Sequence, residues 1–266
     1  MFPISTSRHV RDVRYELLFR CPLRKKLAEH FEANARTDVY LKRHTAVVDK
    51  FVRDCARSAQ LPAHCAVAAM GGYGRREMYP YSDIDVAVLI PEGICDPDLA
   101  KVSAFITSLW SLGLTVGSCV RTKEEMLKET AGDITAATQD GAAVAALNMP
   151  VVTFDGSGTT ADDVSGKALF AATHQAFMDR LDSRMFFRNK MLEMRQRHQK
   201  YGDTPYSLEP NIKEGLGGLR DLQVFLWYAK AAGYGGSWAQ MARGGLITAT
   251  EAYHFGRCMH FLRELR

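Results

Sequence analysis

The chain has 266 residues, of which 47% are hydrophobic, 24% charged and 10% aromatic, the make-up of a globular protein able to bury one or two cores and not of a disordered or fibrous one. A net charge of +4 is too small to make nucleic acid or an anionic membrane the default partner, so any anion site must be local. No window approaches the roughly 18 consecutive apolar residues of a spanning helix, and the opening MFPISTSRHVRDVR lacks the apolar core of a signal peptide, so a cytoplasmic protein without a membrane partner is expected.

Residues 8–33 read as helical with a break at Pro22, and Thr37 or Asp38 is the candidate cap of a longer helix running to about residue 59. Leu41, His44, Val47, Val48, Phe51, Val52 and Cys55 recur at three- and four-residue spacing along it, which places them on one face, His44 as a satisfied core residue. The pattern then changes to two short apolar runs, 65–70 and 84–90, separated by Gly71-Gly72-Tyr73-Gly74, which predicts two strands joined by a loop. A helix follows over 97–112, a third strand over 114–120, and helical pieces over 122–146 with Thr122 and Asp133 as caps. Residues 155–160 have linker composition. Beyond them 161–202 is long and helical, and helices recur at about 218–231 and 248–266.

The expected architecture is therefore α/β (α+β): N-terminal helices over 1–62 packing on a catalytic domain at 63–155, then a helical domain over 156–266. The last residues, HFGRCMHFLRELR, contain no stop signal, so the helical domain is expected to be truncated and the chain part of something longer. The six cysteines (21, 55, 65, 95, 119 and 258) form no CxxC pair and are read as reduced and structural, and the histidines form no HExxH, which leaves a zinc site little support.

The chemistry concentrates at Gly71-Gly72-Tyr73-Gly74-Arg75-Arg76-Glu77 and at Ser82-Asp83-Ile84-Asp85, the head of the second strand. Side chains alternate along a strand, so Asp83 and Asp85 point one way while Ile84, Val86, Val88 and Ile90 face the core. Two neighbouring carboxylates repel unless a cation lies between them, and hard oxygen ligands favour Mg²⁺ or Mn²⁺. The glycines let backbone N–H groups turn toward an anion, and Arg75 or Arg76 adds a charged fork. A lone glycine-rich loop is more often a tight hairpin, and an Asp-x-Asp strand head can be merely polar. The loop, the arginine and the carboxylates together describe nucleoside triphosphate chemistry, with metal on Asp83 and Asp85 and phosphate on Gly71, Gly72, Gly74, Arg75 and Ser82.

These residues resemble the polymerase-β-like nucleotidyltransferase superfamily, whose glycine-rich loop and Asp-x-Asp strand match Gly71, Gly72, Asp83 and Asp85. A second segment, residues 209–223 (EPNIKEGLGGLRDLQ), resembles the signature that follows the catalytic domain of the bifunctional PII uridylyltransferase/uridylyl-removing enzymes. The resemblance covers roughly residues 65–266. It implies transfer of UMP from UTP to a tyrosine of a PII-type nitrogen regulatory protein, with Mg²⁺ (or Mn²⁺) as cofactor, pyrophosphate released and no nucleic acid involved. Within the second segment Gly215, Gly217 and Gly218 form a turn before a helix starting near Leu219, with the cations Lys213 and Arg220 beside it. Two readings stand there: a clamp on the triphosphate or on the protein substrate, or a structural loop in which Arg220 and Asp221 cap and pair at the helix start.

Three departures qualify the resemblance. The superfamily's third carboxylate, from a later strand, is missing from 114–122; the family's acidic and histidine positions there are Ser111, Thr115 and Ser118, which leaves Glu124, Glu125 and Asp133 as candidates to substitute. Leu216 stands where the family usually has proline. The His-Asp dyad of the uridylyl-removing domain and the glutamine-sensing ACT domain do not occur in these residues, so the chain alone is expected neither to remove UMP nor to sense glutamine. The alternatives to uridylyl transfer are a nucleotidyltransferase with another acceptor and a non-catalytic nucleotide- or PII-binding module. On the helix at about 176–200, Arg180, Arg184 and Arg188, with Lys190, Arg195, Arg197 and Lys200 beyond, read as a solvated stripe, and Leu181, Met185, Met191, Leu192 and Met194 as core.

Overall fold

A computed structural model of the chain describes residues 36–111, 115–132, 164–202 and 209–266. The helix expected over 8–33, the linker at 155–160, the cap at Asp133 and Cys21 lie outside the described residues. The chain divides into two compact units, one containing the described residues up to Glu124 together with those of 164–172, the other those from Glu125 to Gly132 and from Thr173 onward.

In the first unit, helix α1 (Thr37–Ser58) precedes strand β1 (Ala66–Ala69), a single helical turn α2 (Gly71–Gly74) and strand β2 (Ile84–Ile90). Helix α3 (Asp96–Trp110) then leads to strand β3 (Val116–Thr122). β1 runs antiparallel to β2, with Ala69 opposite Val86, and β3 lies parallel to β2 on its other side, with Ile84 opposite Val116 and Asp85 opposite Gly117. The strand alternation is as expected: Ile84, Val86, Val88 and Ile90 enter one core with Val48, Phe51, Val52 and Cys55 of α1 and Val102, Phe105, Ile106 and Leu109 of α3. Both helices thus cover the same sheet face, and Asp85 starts the opposite one. Removing the buried Phe105 side chain is expected to cost about 3–5 kcal/mol.

The capping of α1 differs from expectation. Arg36 occupies the N-cap without a side-chain hydrogen bond, and Thr37 and Asp38 lie inside the first turn, Asp38 paired with Arg36 at 3.8 Å. The Thr37 hydroxyl is buried without a hydrogen-bond partner among the described residues. His44 is a satisfied core residue, its Nδ1 lying 2.7 Å from the Met78 carbonyl oxygen. Cys55 and Cys65 are buried and outside any disulfide, and burial pushes the Cys65 thiol up to about 11, which suits a structural role.

Helix α4 (Lys123–Gly132) follows β3 directly, so Thr122 ends the strand. The expected single helix over 161–202 is two, α5 (Val164–Arg180) and α6 (Ser183–Lys200). The break is chemical: Asp182 accepts from the Arg184 and Met185 amides as the N-cap of α6. In the second unit Leu127, Phe177, Phe186, Val224 and Trp227 form the core with α6 and helix α7 (Leu219–Ala231). Helix α8 (Trp238–Arg243) and helix α9 (Ala249–Leu265) complete it, α9 opened by a reciprocal capping box between Thr248 and Glu251. Phe225, Trp238 and Phe255 stack between α7, α8 and α9 at centroid distances of 5.1–5.9 Å.

The basic stripe expected over 176–200, which spans the end of α5 and all of α6, also needs correcting. Arg180, Arg184, Arg188, Arg195 and Lys200 are exposed as expected, but Lys190 is buried and Arg197 half-buried, whereas Met185 and Leu192, expected in the core, are exposed. Lys190 lies two residues past Arg188, about 200° round a helix of 3.6 residues per turn, and so shares the inward face with Phe186. There it pairs with Glu193 at 2.5 Å and lies 5.4 Å from the Trp227 ring centre. Burial pulls its ammonium below the ordinary lysine range.

Candidate active site

The site grows from the C-terminal end of β1. After Met70 the chain winds into the turn of α2, in which the Gly74 amide donates to the Met70 carbonyl at 2.8 Å and the Arg75 amide to that of Gly71 at 3.3 Å. The Met70 amide itself donates to the Asp85 carbonyl at 2.8 Å, which ties the turn to the head of β2. Gly71 has φ +52°, and a Cβ placed there would lie 2.6 Å from Asp85 Oδ2. On the other side, a Cβ at Gly117 would lie 2.5 Å from Asp85 Oδ1. The half-buried Asp85 carboxylate therefore sits in a slot between two glycine backbones, and any side chain at either glycine would displace it.

Asp83 precedes the strand and is exposed. The parallel register that sets Ile84 beside Val116 and Asp85 beside Gly117 sets Asp83 beside Thr115, whose carbonyl accepts from the Ile84 amide at 2.9 Å. Partners in a parallel ladder share a face, so Thr115, also exposed, belongs to the face of the two carboxylates. Ser118 belongs with Val86 on the core face. Glu124 and Glu125 are exposed in the first turn of α4, and among the described residues no group of three or more His, Cys, Asp or Glu is placed to hold a metal.

Gly72 differs from Gly71. A Cβ there would meet the Glu77 carbonyl only at 3.5 Å and Arg75 Nη2 at 3.9 Å, ordinary contacts, and its φ is not positive. No contact among the described residues requires a glycine at that position. Gly74 is buried within the turn. Arg75 donates from Nε to Glu77 Oε2 at 3.0 Å, and Ser82 Oγ accepts from the Tyr79 amide at 3.1 Å, so both brace the loop.

Lys213 and Arg220 lie in the second unit. The Asn211 side chain accepts from the Lys213 and Glu214 amides at 3.1 and 2.8 Å, and the Leu219 and Arg220 amides donate back to the Ile212 and Lys213 carbonyls. Asp221 accepts from the Gly217 amide at 2.8 Å and Arg197 Nη2 at 2.6 Å and lies 2.9 Å from His198 Nε2. Arg220 forks onto Glu214 and lies 5.6 Å from the Trp227 ring centre, while Lys213 Nζ is 3.5 Å from Glu214. Burial works to raise the Glu214 carboxyl, but Arg220, Lys213 and Arg197 overcome it and hold it below the usual range.

Sequence reasoning missed Gly117 and the hold of α1 on the loop. Gly117 was legible only by pairing 84–90 with 116–122, since its meaning comes from its register partner Asp85.

A small mixed sheet, a glycine turn before its central strand and carboxylates at that strand's head fit the class of nucleotidyltransferases. Residues 22–117 match the family described as putative nucleotidyltransferase DUF294, and residues 185–266 the family GlnD PII-uridylyltransferase. Curated relatives named bifunctional uridylyltransferase/uridylyl-removing enzyme include those of Bordetella parapertussis, 41% identical over 236 residues (89% of this chain, 25% of the relative), and Cupriavidus metallidurans, 39% identical over 265 residues (96% and 29%). That of Burkholderia lata is 41% identical over 242 residues (91% and 26%). The chain belongs to the family of these enzymes and spans about a quarter of the length of the curated relatives it matches.

Proposed function

We propose that the chain is a PII uridylyltransferase portion that moves UMP from UTP to a tyrosine of a PII-type protein. The tyrosine oxygen bonds to the α-phosphorus, the bond to the bridging oxygen breaks, pyrophosphate leaves and the phenolic proton is lost to solvent. The observation that carries this reading is the Asp85 carboxylate held between Gly71 and Gly117, with the exposed Asp83 two residues before it at the head of the strand. Two exposed or half-buried carboxylates suit Mg²⁺, which keeps several waters and takes its remaining ligands from phosphate. When bound on Asp83 and Asp85, the divalent ion neutralises charge developing on the phosphates. Gly72, whose bare backbone answers no need of the fold, gives a phosphate close approach. Arg75 and Ser82 keep the loop in shape and reach phosphate only by exchanging their present partners. The nucleotide contacts proposed rest on the first unit alone. Lys213 and Arg220, expected at the nucleotide, pair with Glu214 in the second unit's own loop and are given no phosphate contact here.

The test is transfer of label from α-³²P-UTP to a purified PII-type protein with Mg²⁺ present, together with calorimetric UTP binding. Transfer lost on chelation supports the reading. The two-carboxylate head specifically favours one other reading, a nucleotide-binding module without transfer, and UTP binding with no label on PII would establish it.

A further inference from the structure

Three of the four residues of α2 are glycines, and a single turn of that composition does not hold itself together. Backbone hydrogen bonds tie its two ends, and any side-chain hold on its orientation acts through Tyr73, the one residue in the turn with a side chain. The Tyr73 ring is 2% exposed and packs in the core shared with α1. Its hydroxyl and Asp49 Oδ1 of α1 are both buried, neither makes a well-formed hydrogen bond to another described residue, and they lie close enough that the Asp49 charge reinforces burial in raising the Tyr73 phenol. The other oxygen, Asp49 Oδ2, lies 3.7 Å from Arg76 Nη2. Arg76 has φ +60°, a left-handed conformation that an arginine adopts only where its surroundings impose it. One carboxylate of α1 therefore faces both the one side chain of the glycine turn and the strained residue that follows the turn's C-cap. Two residues further on, His44 of α1 holds the Met78 carbonyl.

We propose that Asp49 is a positioning residue of the nucleotide site: acting through Tyr73 and Arg76, it keeps the Gly71–Gly74 turn wound beside Asp85. The role in nucleotide binding rests on the function proposed above; the hold on the turn does not. Asp49 touches no phosphate in this scheme. It fixes the backbone from which Gly71 and Gly72 present their amides, from the sheet face opposite to Asp85.

Hydrogen exchange by mass spectrometry on the whole chain, parent against Asp49→Ala, Asp49→Asn and Tyr73→Phe, tests the hold directly. The amides of Gly74, Arg75 and Glu77, bonded to the Met70, Gly71 and Gly72 carbonyls, should exchange about tenfold faster in Asp49→Ala, while 84–90 keeps its protection. Tyr73→Phe should give part of this effect. In steady-state transfer, Asp49→Ala should raise KM for UTP about tenfold with a smaller change in kcat. Unchanged exchange at 70–79 in Asp49→Ala would overturn the proposal, as would a uniform rise across all peptides, which would make Asp49 a general stabiliser. Should Asp49→Ala not fold, Asp49→Asn decides by the same two readouts. Faster exchange at the turn in Asp49→Ala, together with a parent that binds no UTP, would leave the hold standing and remove the functional reading; UTP binding that Asp49 variants leave untouched, with exchange unchanged, would do the reverse.

Discussion

Two glycine-rich loops of this chain, 71–79 and 211–221, look alike in sequence and are built on opposite plans. In the second, each glycine answers an internal need: a Cβ at Gly215 would lie 2.7 Å from the Asn211 carbonyl, one at Gly218 would lie 2.8 Å from that of Ile212, and Gly217 has φ +73°. Its charges are also matched, Asp221 by Arg197, His198 and the Gly217 amide, and Glu214 by Arg220. In the first, Gly71 is required by Asp85, but Gly72 has room, and Asp83 stands exposed at the strand head. A loop whose groups are all matched is a structural device. A loop with a bare glycine backbone and an exposed carboxylate at its mouth has the layout of a ligand site.

The strongest way to break this contrast is to neutralise the open site. Asp85→Asn or Asp83→Asn should lower UMP transfer by about 100-fold or more and leave the melting temperature nearly unchanged, as read by label transfer and thermal melts; near-normal transfer would reduce the aspartates to a polar strand start. The matched loop should respond oppositely. Asp221→Ala takes from Arg197 its shortest ion pair and from His198 its carboxylate, and should destabilise the second unit by roughly 2–3 kcal/mol in urea titration, with UTP affinity unaltered.

Within the first loop the glycines should separate. Gly71→Ala meets both a strained φ and the Asp85 carboxylate and should cost about 1–2 kcal/mol of stability, whereas Gly72→Ala should keep stability and weaken UTP binding about tenfold in calorimetry. Equal stability losses would mean that Gly72 is as structural as its neighbour. A smaller gain is expected from Thr115→Glu, since the register brings that position beside Asp83. A third carboxylate there should tighten Mg²⁺ or Mn²⁺ binding several-fold; no change would mean that Thr115 does not look onto the metal face.

The smallest effect is acidic. Because the Glu214 carboxyl is held below its unfolded value of 4.5, its contribution is complete above that pH and fades as pH falls through the lower folded value. As pH falls below 4.5, the parent should lose stability in urea titrations by a component that Glu214→Gln lacks.

Much of the first unit was legible because its signals are short-range and periodic. The runs at 65–70 and 84–90 became β1 and β2, the third strand moved only from 114–120 to Val116–Thr122, and the face alternation of Ile84, Val86, Val88 and Ile90 held. Where the reading went astray, the deciding fact was tertiary or very local. Asp182 stops one helix and starts another by accepting two amides, inside a stretch that is helical on both sides. Lys190 belongs to a basic run by sequence and to the Trp227 core by angle. α8, at Trp238–Arg243, is too short for periodicity to reveal. Asp83 and Asp85 were readable as a pair, but the Gly117 wall and the Asp49 hold depend on residues distant in sequence, and no spacing rule reports them.

The central claim, that the first loop is open to a nucleotide and the second closed on itself, is tested most directly by a hydrogen-exchange footprint of UTP with Mg²⁺ on the whole chain. The account predicts protection confined to 70–85 and 115–118, absent in Asp85→Asn, with 211–221 unchanged. Protection at 211–221 and none at 70–85 would contradict it.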